Sequence, residues 1–357
     1  MNGNKLRLAA IFSALIFIPC RSTFAQTSEH SKDSSAAARA NERGEYTLAQ
    51  KPYREAIELQ ENTFGVESPE VAISLNNLAV FYQDQSMYPE AEQTYGKALS
   101  ILGRNSRQEA SIAFTLNNLA ALYLDEGLDS KAEPLYARAL GIWEKLEKKD
   151  GVNEAVTVSG LAGIYNSRNQ DASAEPLYLR ALALWIAQAK ADGLEAADAF
   201  FHLGEIYRFR SNNKDAALMY ARALSIWEKV TQAENPDAIT AEAALGDIYR
   251  AEGKYAEAEP LLERALKAAE KKLGPNHLDV ATSLNNLALL YYCESKYAAA
   301  EPLYKRALEI REKNLGPENP AVLQTMQIYA ALLRQEGRKT EAQEVETQGG
   351  FKGVDRL

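Results

Sequence analysis

The chain has 357 residues, 46% of them apolar and 25% charged, with a formal net charge of −9. That acidic balance, with no basic stripe, excludes the usual phosphate-facing surface of a nucleic-acid binder. Two cysteines and three histidines are too few for a rich metal site, and frequent Ala and Leu with little Pro or Gly favour helix over sheet.

Residues 1–25 read as an export signal. Lys5 and Arg7 form a short basic start. Leu8 to Ile18 is apolar apart from Ser13, Pro19 breaks the segment, and Thr23-Phe24-Ala25 puts small residues at the two positions a signal peptidase reads. The apolar run falls short of the ~20 residues that span a bilayer. The competing reading, a buried N-terminal helix, finds no partner pattern in the polar stretch that follows. Cys20 offers lipid attachment as an alternative, but Pro19 stands where lipoprotein signals carry glycine. Cleavage after Ala25 removes Lys5, Arg7 and Arg21 and no acid, giving a mature charge of −9 − 3 = −12. It also leaves Cys293 as the one cysteine, so no intramolecular disulfide supports the fold. The expected location is periplasmic or secreted. Residues 26–42 read as a flexible polar linker.

From there the chain repeats itself. Leu75-Asn76-Asn77-Leu78-Ala79 returns as Leu116-Asn117-Asn118-Leu119-Ala120 and as Leu284-Asn285-Asn286-Leu287-Ala288. Weaker copies centre on Leu161, Leu203, Leu245 and Tyr329. Taking the fourth residue of each window as anchor gives 78, 119, 161, 203, 245, 287 and 329, spaced by 41 once and then 42 five times. A second block follows each anchor. Its clearest form is Ala132-Glu133-Pro134-Leu135-Tyr136-Ala137-Arg138-Ala139-Leu140, with copies from Ala174, Ala258 and Ala300 and looser ones from Ala91 and Ala216. A block from Ala49 lacks a clear first half. Residues 43–347 therefore read as a half unit followed by about seven units, with 348–357 as a flexible tail.

Each unit predicts two helices. Leu75, Leu78, Ala79 and Tyr82 recur at i, i+3, i+4 and i+7, and Ala91, Tyr95, Ala98 and Leu99 form a similar stripe in the second. Asn235-Pro236 and Asn319-Pro320 are expected to start first helices, with asparagine as cap. Leu273-Gly274-Pro275 and Leu315-Gly316-Pro317 should end second helices. The proline of the Ala-Glu-Pro block is expected near the start of the second helix, where its missing N–H costs little. Facing alanines let the two helices approach closely, and one pair cannot bury its whole apolar surface, so pairs should stack.

The order leucine, small residue, tyrosine, alanine, tyrosine, alanine resembles the tetratricopeptide repeat. The 42-residue period, the Asn-Asn-Leu-Ala and Glu-Pro-Leu-Tyr blocks and the Leu-Gly-Pro linker resemble the longer variety found in kinesin light chains and in many bacterial proteins, here as an exported type. The resemblance implies an all-α solenoid of stacked antiparallel helix pairs forming a superhelix. It also implies a concave groove lined by the first helices, two residues before and five after each anchor. Carried over, those positions give Asn76, Asn117, Phe201, Asn285 and Gln327, and Arg208, Arg250, Tyr292 and Arg334, as a partner-binding groove. In kinesin light chain relatives, groove asparagines hold the backbone of an extended peptide, and an amide suits that by both donating and accepting. The alternative is that the Asn pairs bridge neighbouring repeats. The lysine and asparagine carboxylate-clamp set of the family is not matched.

No catalytic constellation emerges. His30, His202 and His277 share no metal-ligand spacing, and neither a phosphate loop nor a nucleophile elbow is present. No cofactor is expected. Trp143, Trp185 and Trp227, spaced by 42, read as a packing ladder. The function expected is a non-catalytic scaffold or adaptor that binds a protein or extended peptide, with no nucleic acid and no membrane span in the mature chain. The alternative is a structural protein that self-associates through an uncapped C-terminal repeat.

Overall fold

The computed structural model describes residues 42–104, 107–146, 150–188, 190–230 and 235–350, and their regular structure is entirely helical. The export-signal reading, the linker up to residue 41 and the tail from 351 lie outside the described residues. A lone helix, α1 (Glu42–Phe64), comes first. Helix pairs follow: α2 (Pro69–Asp84) with α3 (Tyr88–Gly103), α4 (Glu109–Asp125) with α5 (Asp129–Trp143), and α6 (Gly151–Ser167) with α7 (Asp171–Ala187). Next come α8 (Leu194–Phe209) with α9 (Asn213–Val230) and α10 (Pro236–Ala251) with α11 (Tyr255–Leu273). The last are α12 (Leu278–Cys293) with α13 (Tyr297–Leu315) and α14 (Pro320–Gln335) with α15 (Lys339–Gly349). The chain divides into two compact units, Met1–Ala199 and Phe200–Leu357, the division falling within α8.

The turn inside each pair has one recurring solution. Ser86, Gly127, Asn169, Ser211, Gly253, Ser295 and Gly337 all adopt positive φ, between 56° and 80°. The next residue's N–H then reaches back to a carbonyl in the last turn of the first helix, as in Met87 to Tyr82 (2.8 Å) and Leu128 to Tyr123 (2.7 Å). That left-handed residue lets the chain reverse while satisfying a carbonyl the helix end leaves open. The predicted caps are in place. Asn235 Oδ1 accepts from the Asp237 N–H and Asn319 Oδ1 from the Ala321 N–H, both at 2.9 Å. Gly274 and Gly316 end α11 and α13 at φ 84° and 82°.

The prolines sit deeper than expected. Pro134, Pro176, Pro260 and Pro302 lie inside α5, α7, α11 and α13, in the second turn rather than the first. The left-handed turn residue starts the helix early, at Asp129 in the case of α5, so each proline forfeits one regular helix hydrogen bond.

Within the first unit, α3 packs on α4 and α5 on α6, while the first helices touch their neighbours, α2 with α4 and α4 with α6. The second unit repeats this with α9 on α10, α11 on α12, α13 on α14 and α10 beside α12. Ala79, Ala91 and Ala98 are fully buried between helices, with Tyr82 and Tyr95 filling the gaps beside them. Leu116, Leu122 and Leu203 are likewise fully buried, each contributing ~1.5–3 kcal/mol by leaving water. Polar rungs join the pairs as well. Tyr123 donates to Glu92 (2.7 Å), Tyr165 to Glu133 (3.4 Å) and Tyr291 to Glu259 (2.9 Å), each time from a first helix to the preceding second helix. Arg180 bridges Glu144 and Glu154, and Arg264 bridges Glu228 and Glu242.

Candidate partner-binding face

In the first unit, the helix phase turns the position two before the anchor toward the neighbouring first helix. Asn76 and Asn117 are both 4% exposed. Asn118 Nδ2 donates to Asn76 Oδ1 at 3.1 Å, so this amide pair ties α4 to α2. Asn117 Nδ2 donates to Thr157 Oγ1 at 2.7 Å, tying α4 to α6. Gln83, five after its anchor, is buried, donates to Asp125 at 2.6 Å and accepts from the Tyr95 hydroxyl at 3.0 Å. Burial raises the Asp125 carboxyl, and the Gln83 bond opposes that rise.

Beside these amides the first helices leave an opening. A cavity of about 90 Å³ is bounded by Ile73, Asn76 and Asn77 of α2, by Ala110, Ser111, Phe114 and Thr115 of α4, and by Asp150 and Asn153 at the start of α6. Leu102 and Trp143 line it from the second helices. Ile73 is 43% exposed, and the buried Trp143 indole N–H has no hydrogen-bond partner among the described residues. The site therefore combines an apolar wall with amide groups at its edge, the composition that suits part of an extended chain.

In the second unit the predicted positions separate into different environments. Phe201 is 7% exposed and packs against Tyr220 and Trp227, with ring centroids at 6.2 and 5.9 Å. It belongs to the core, because two large rings of α9 reach it. Its neighbour His202 has its imidazole pushed down to about 4 by burial. Arg208 is half exposed and gives Glu205 two hydrogen bonds, at 3.3 and 2.8 Å, and one to the Tyr220 hydroxyl at 3.2 Å. The Glu205 bond raises the Arg208 guanidinium, and burial raises the Tyr220 phenol. Arg250 pairs with Asp247 at 2.7 Å and points a second N–H at the Cys293 sulfur, 3.7 Å away. Arg334 pairs with Glu346 at 2.9 and 2.8 Å. Tyr292 stacks beside Tyr297 at 5.6 Å, and Gln327 is exposed. The Asn285 amide oxygen has no partner among the described residues.

The arginines five after the anchor thus meet acids of their own unit. Spacing predicts where they sit and sets Glu205 and Asp247 one turn before Arg208 and Arg250, but it does not announce that Glu346 on the facing helix takes the charge of Arg334. Ile73 and Phe114, which bound the cavity, were not among the predicted positions. Both lie five residues before an anchor, and that shared offset is the signal that would have found them. Among the described residues no group of three His, Cys, Asp or Glu side chains converges to hold a metal, and no helix is long and apolar enough to cross a membrane.

The profile of the tetratricopeptide repeat matches residues 33–103, 111–187, 157–229, 237–313 and 294–349. The chain belongs to the tetratricopeptide repeat family. Several solved structures are similar to it. The apo form of RapI is 16% identical with a TM-score of 0.51, over 78% of this chain and 96% of that one. Kinesin light chain repeats from Podosopora anserina are 20% identical with a TM-score of 0.44, over 58% of this chain and 98% of that one. YrrB, described as a tetratricopeptide protein with an unusual peptide-binding site, is 21% identical with a TM-score of 0.45, over 62% of this chain and 94% of that one. No curated protein sequence matches. Tetratricopeptide folds commonly serve protein–protein interaction, and this chain carries the scaffold for it.

Proposed function

We propose that the protein is a non-catalytic scaffold that binds a protein or extended peptide on the first-helix face of its repeats, outside the cytoplasm. The observation that carries the reading is the cavity beside α2, α4 and α6, where an exposed Ile73 and the indole of Trp143 meet a rim of amides. Apolar anchors supply binding energy there, and the Asn77 and Asn153 amides suit a partner's backbone. Lys5, Arg7, the apolar run and Ala25 support export, which predicts a mature N-terminus at Gln26 by mass spectrometry of the exported fraction.

A photo-reactive residue placed at Ile73 tests the face, with the same residue at the exposed Leu179 of α7 as control. In the native host, a defined cross-linked partner from position 73 and none from 179 is the expected result. Equal labelling at both positions rejects the first-helix face. A product of twice the chain's own mass from position 73 favours self-association instead.

A further inference from the structure

We infer that Arg311 is a recognition point for a carboxylate carried by an extended partner segment. The inference rests on the scaffold reading above and places one specificity determinant on it, in the second unit.

Arg311, on α13, is 9% exposed and its guanidinium makes no ion pair among the described residues. Its guanidinium gives hydrogen bonds to Thr325 Oγ1 at 2.6 Å, to the Ala321 carbonyl at 3.3 Å and to Thr282 Oγ1 at 3.4 Å. All three acceptors are neutral. Six other arginines of this architecture behave differently. Arg208, Arg250 and Arg334 on first helices and Arg180, Arg264 and Arg306 on second helices each meet a carboxylate. A guanidinium cannot shed its proton, so a buried one without a counter-charge is costly, and an anion that arrives there recovers the cost. Burial lowers the Arg311 guanidinium from its ordinary value.

The guanidinium has donors to spare. Of five N–H groups, three are engaged by described residues and two are not. The two threonines position the group rather than bind a ligand, because each hydroxyl donates its own proton to a helix carbonyl, Thr282 to Leu278 and Thr325 to Ala321.

The repeat register shows which face this is. Arg311 stands four periods after Trp143, Thr282 four periods after Phe114, and Thr325 five periods after Thr115. Trp143, Phe114 and Thr115 all line the cavity of the first unit. Arg311 and its threonines are thus the polar counterpart of that crevice. One turn along α12 from Thr282, the buried Asn285 amide oxygen has no hydrogen-bond partner among the described residues. The net charge of −9 disfavours free polyanions, whereas a single carboxylate on a segment held through its backbone is admitted.

The test is a selection of random 12-residue displayed peptides on the full chain and on its Arg311→Met and Arg311→Lys variants, each first checked for native helicity. The expected result is enrichment of Asp or Glu at one fixed peptide position for the native chain, lost with Arg311→Met and weakened with Arg311→Lys. In a synthetic selected peptide, changing that Glu to Gln should weaken binding about tenfold on the native chain and less than about twofold on Arg311→Met. Selected peptides without acid enrichment, or with the same enrichment on Arg311→Met, overturn the inference and leave the scaffold reading standing. Acetate or inorganic phosphate competing with the peptide at equal concentration overturns it in favour of a small free anion. If no peptide is selected by any form, both readings fall together.

Discussion

Gly160 and Gly141 offer the same chemical change with opposite expected signs. Both lie in helices, where replacing glycine by alanine gains up to ~1 kcal/mol from reduced backbone freedom in the unfolded chain. At Gly141, on α5, an added Cβ meets nothing within 4 Å. At Gly160, on α6, it would sit 2.4 Å from Tyr136 Cζ and 2.7–2.8 Å from two more ring atoms. Tyr136 is 3% exposed, so its ring has little room to retreat. Overpacking of this kind costs ~1–3 kcal/mol. Gly141→Ala should therefore stabilise by ~1 kcal/mol, and Gly160→Ala should lie between neutral and ~2 kcal/mol destabilising. The propensity gain cancels in the difference between the two, which isolates the steric cost of ~1–3 kcal/mol. Urea unfolding followed by circular dichroism measures it, fitted with nearest-neighbour repeat energies because a long array need not unfold in one step. Two variants that agree within about 0.5 kcal/mol would refute the claim that α6 and Tyr136 of α5 meet this closely.

Two further outcomes are expected. Asn118→Ala should cost ~1–3 kcal/mol in the same assay, because it leaves the buried Asn76 Oδ1 without its donor, and a loss under about 0.5 kcal/mol would show that the inter-repeat amide pair is dispensable. Acid should act in two windows, since both groups concerned have folded pKa values below their ordinary ones: the contribution of His202 is present above 6.5 and lost as pH falls to about 4, and that of Glu301, held down to about 2 chiefly by its Arg338 bond, is lost below 4.5. Melting temperature against pH should accordingly fall through both windows, and His202→Asn should flatten the upper one alone; an unchanged upper window in that variant removes His202 as its cause.

Much of the architecture is visible in the residue pattern because each repeat restates the same local chemistry. Asn235, Asn319, Gly274 and Gly316 stand where helix ends require them, and the alanine and tyrosine stripes mark the buried faces. Depth was harder to read. The prolines fall in the second turn because a serine, asparagine or glycine upstream takes the left-handed conformation and starts the helix early, a choice that the proline itself does not announce. The glutamates before those prolines look like solvent-facing charge, yet Glu133, Glu259 and Glu301 accept from tyrosines of the next helix. Phe201 shares its phase with Asn76 and Asn117, but phase gives direction and not the reach of the neighbours, and Trp227 closes over it.

The candidate site differs from the fold in what reveals it. A packing position repeats its residue, so Trp143, Trp185 and Trp227 declare themselves by period. A specificity position departs from the period while keeping its place in the helix. Four periods after Trp143 the ladder carries Arg311, and the phenylalanine and threonine that frame the first-unit cavity return as Thr282 and Thr325. Read along the chain, Arg311 is one more charged residue in a charged second helix. Its burial in neutral company, a carbonyl and two hydroxyls where six other arginines find acids, distinguishes it. A repeat fold tolerates that substitution because the cost stays within one unit and its neighbours, and the same confinement leaves each crevice free to differ in what it selects.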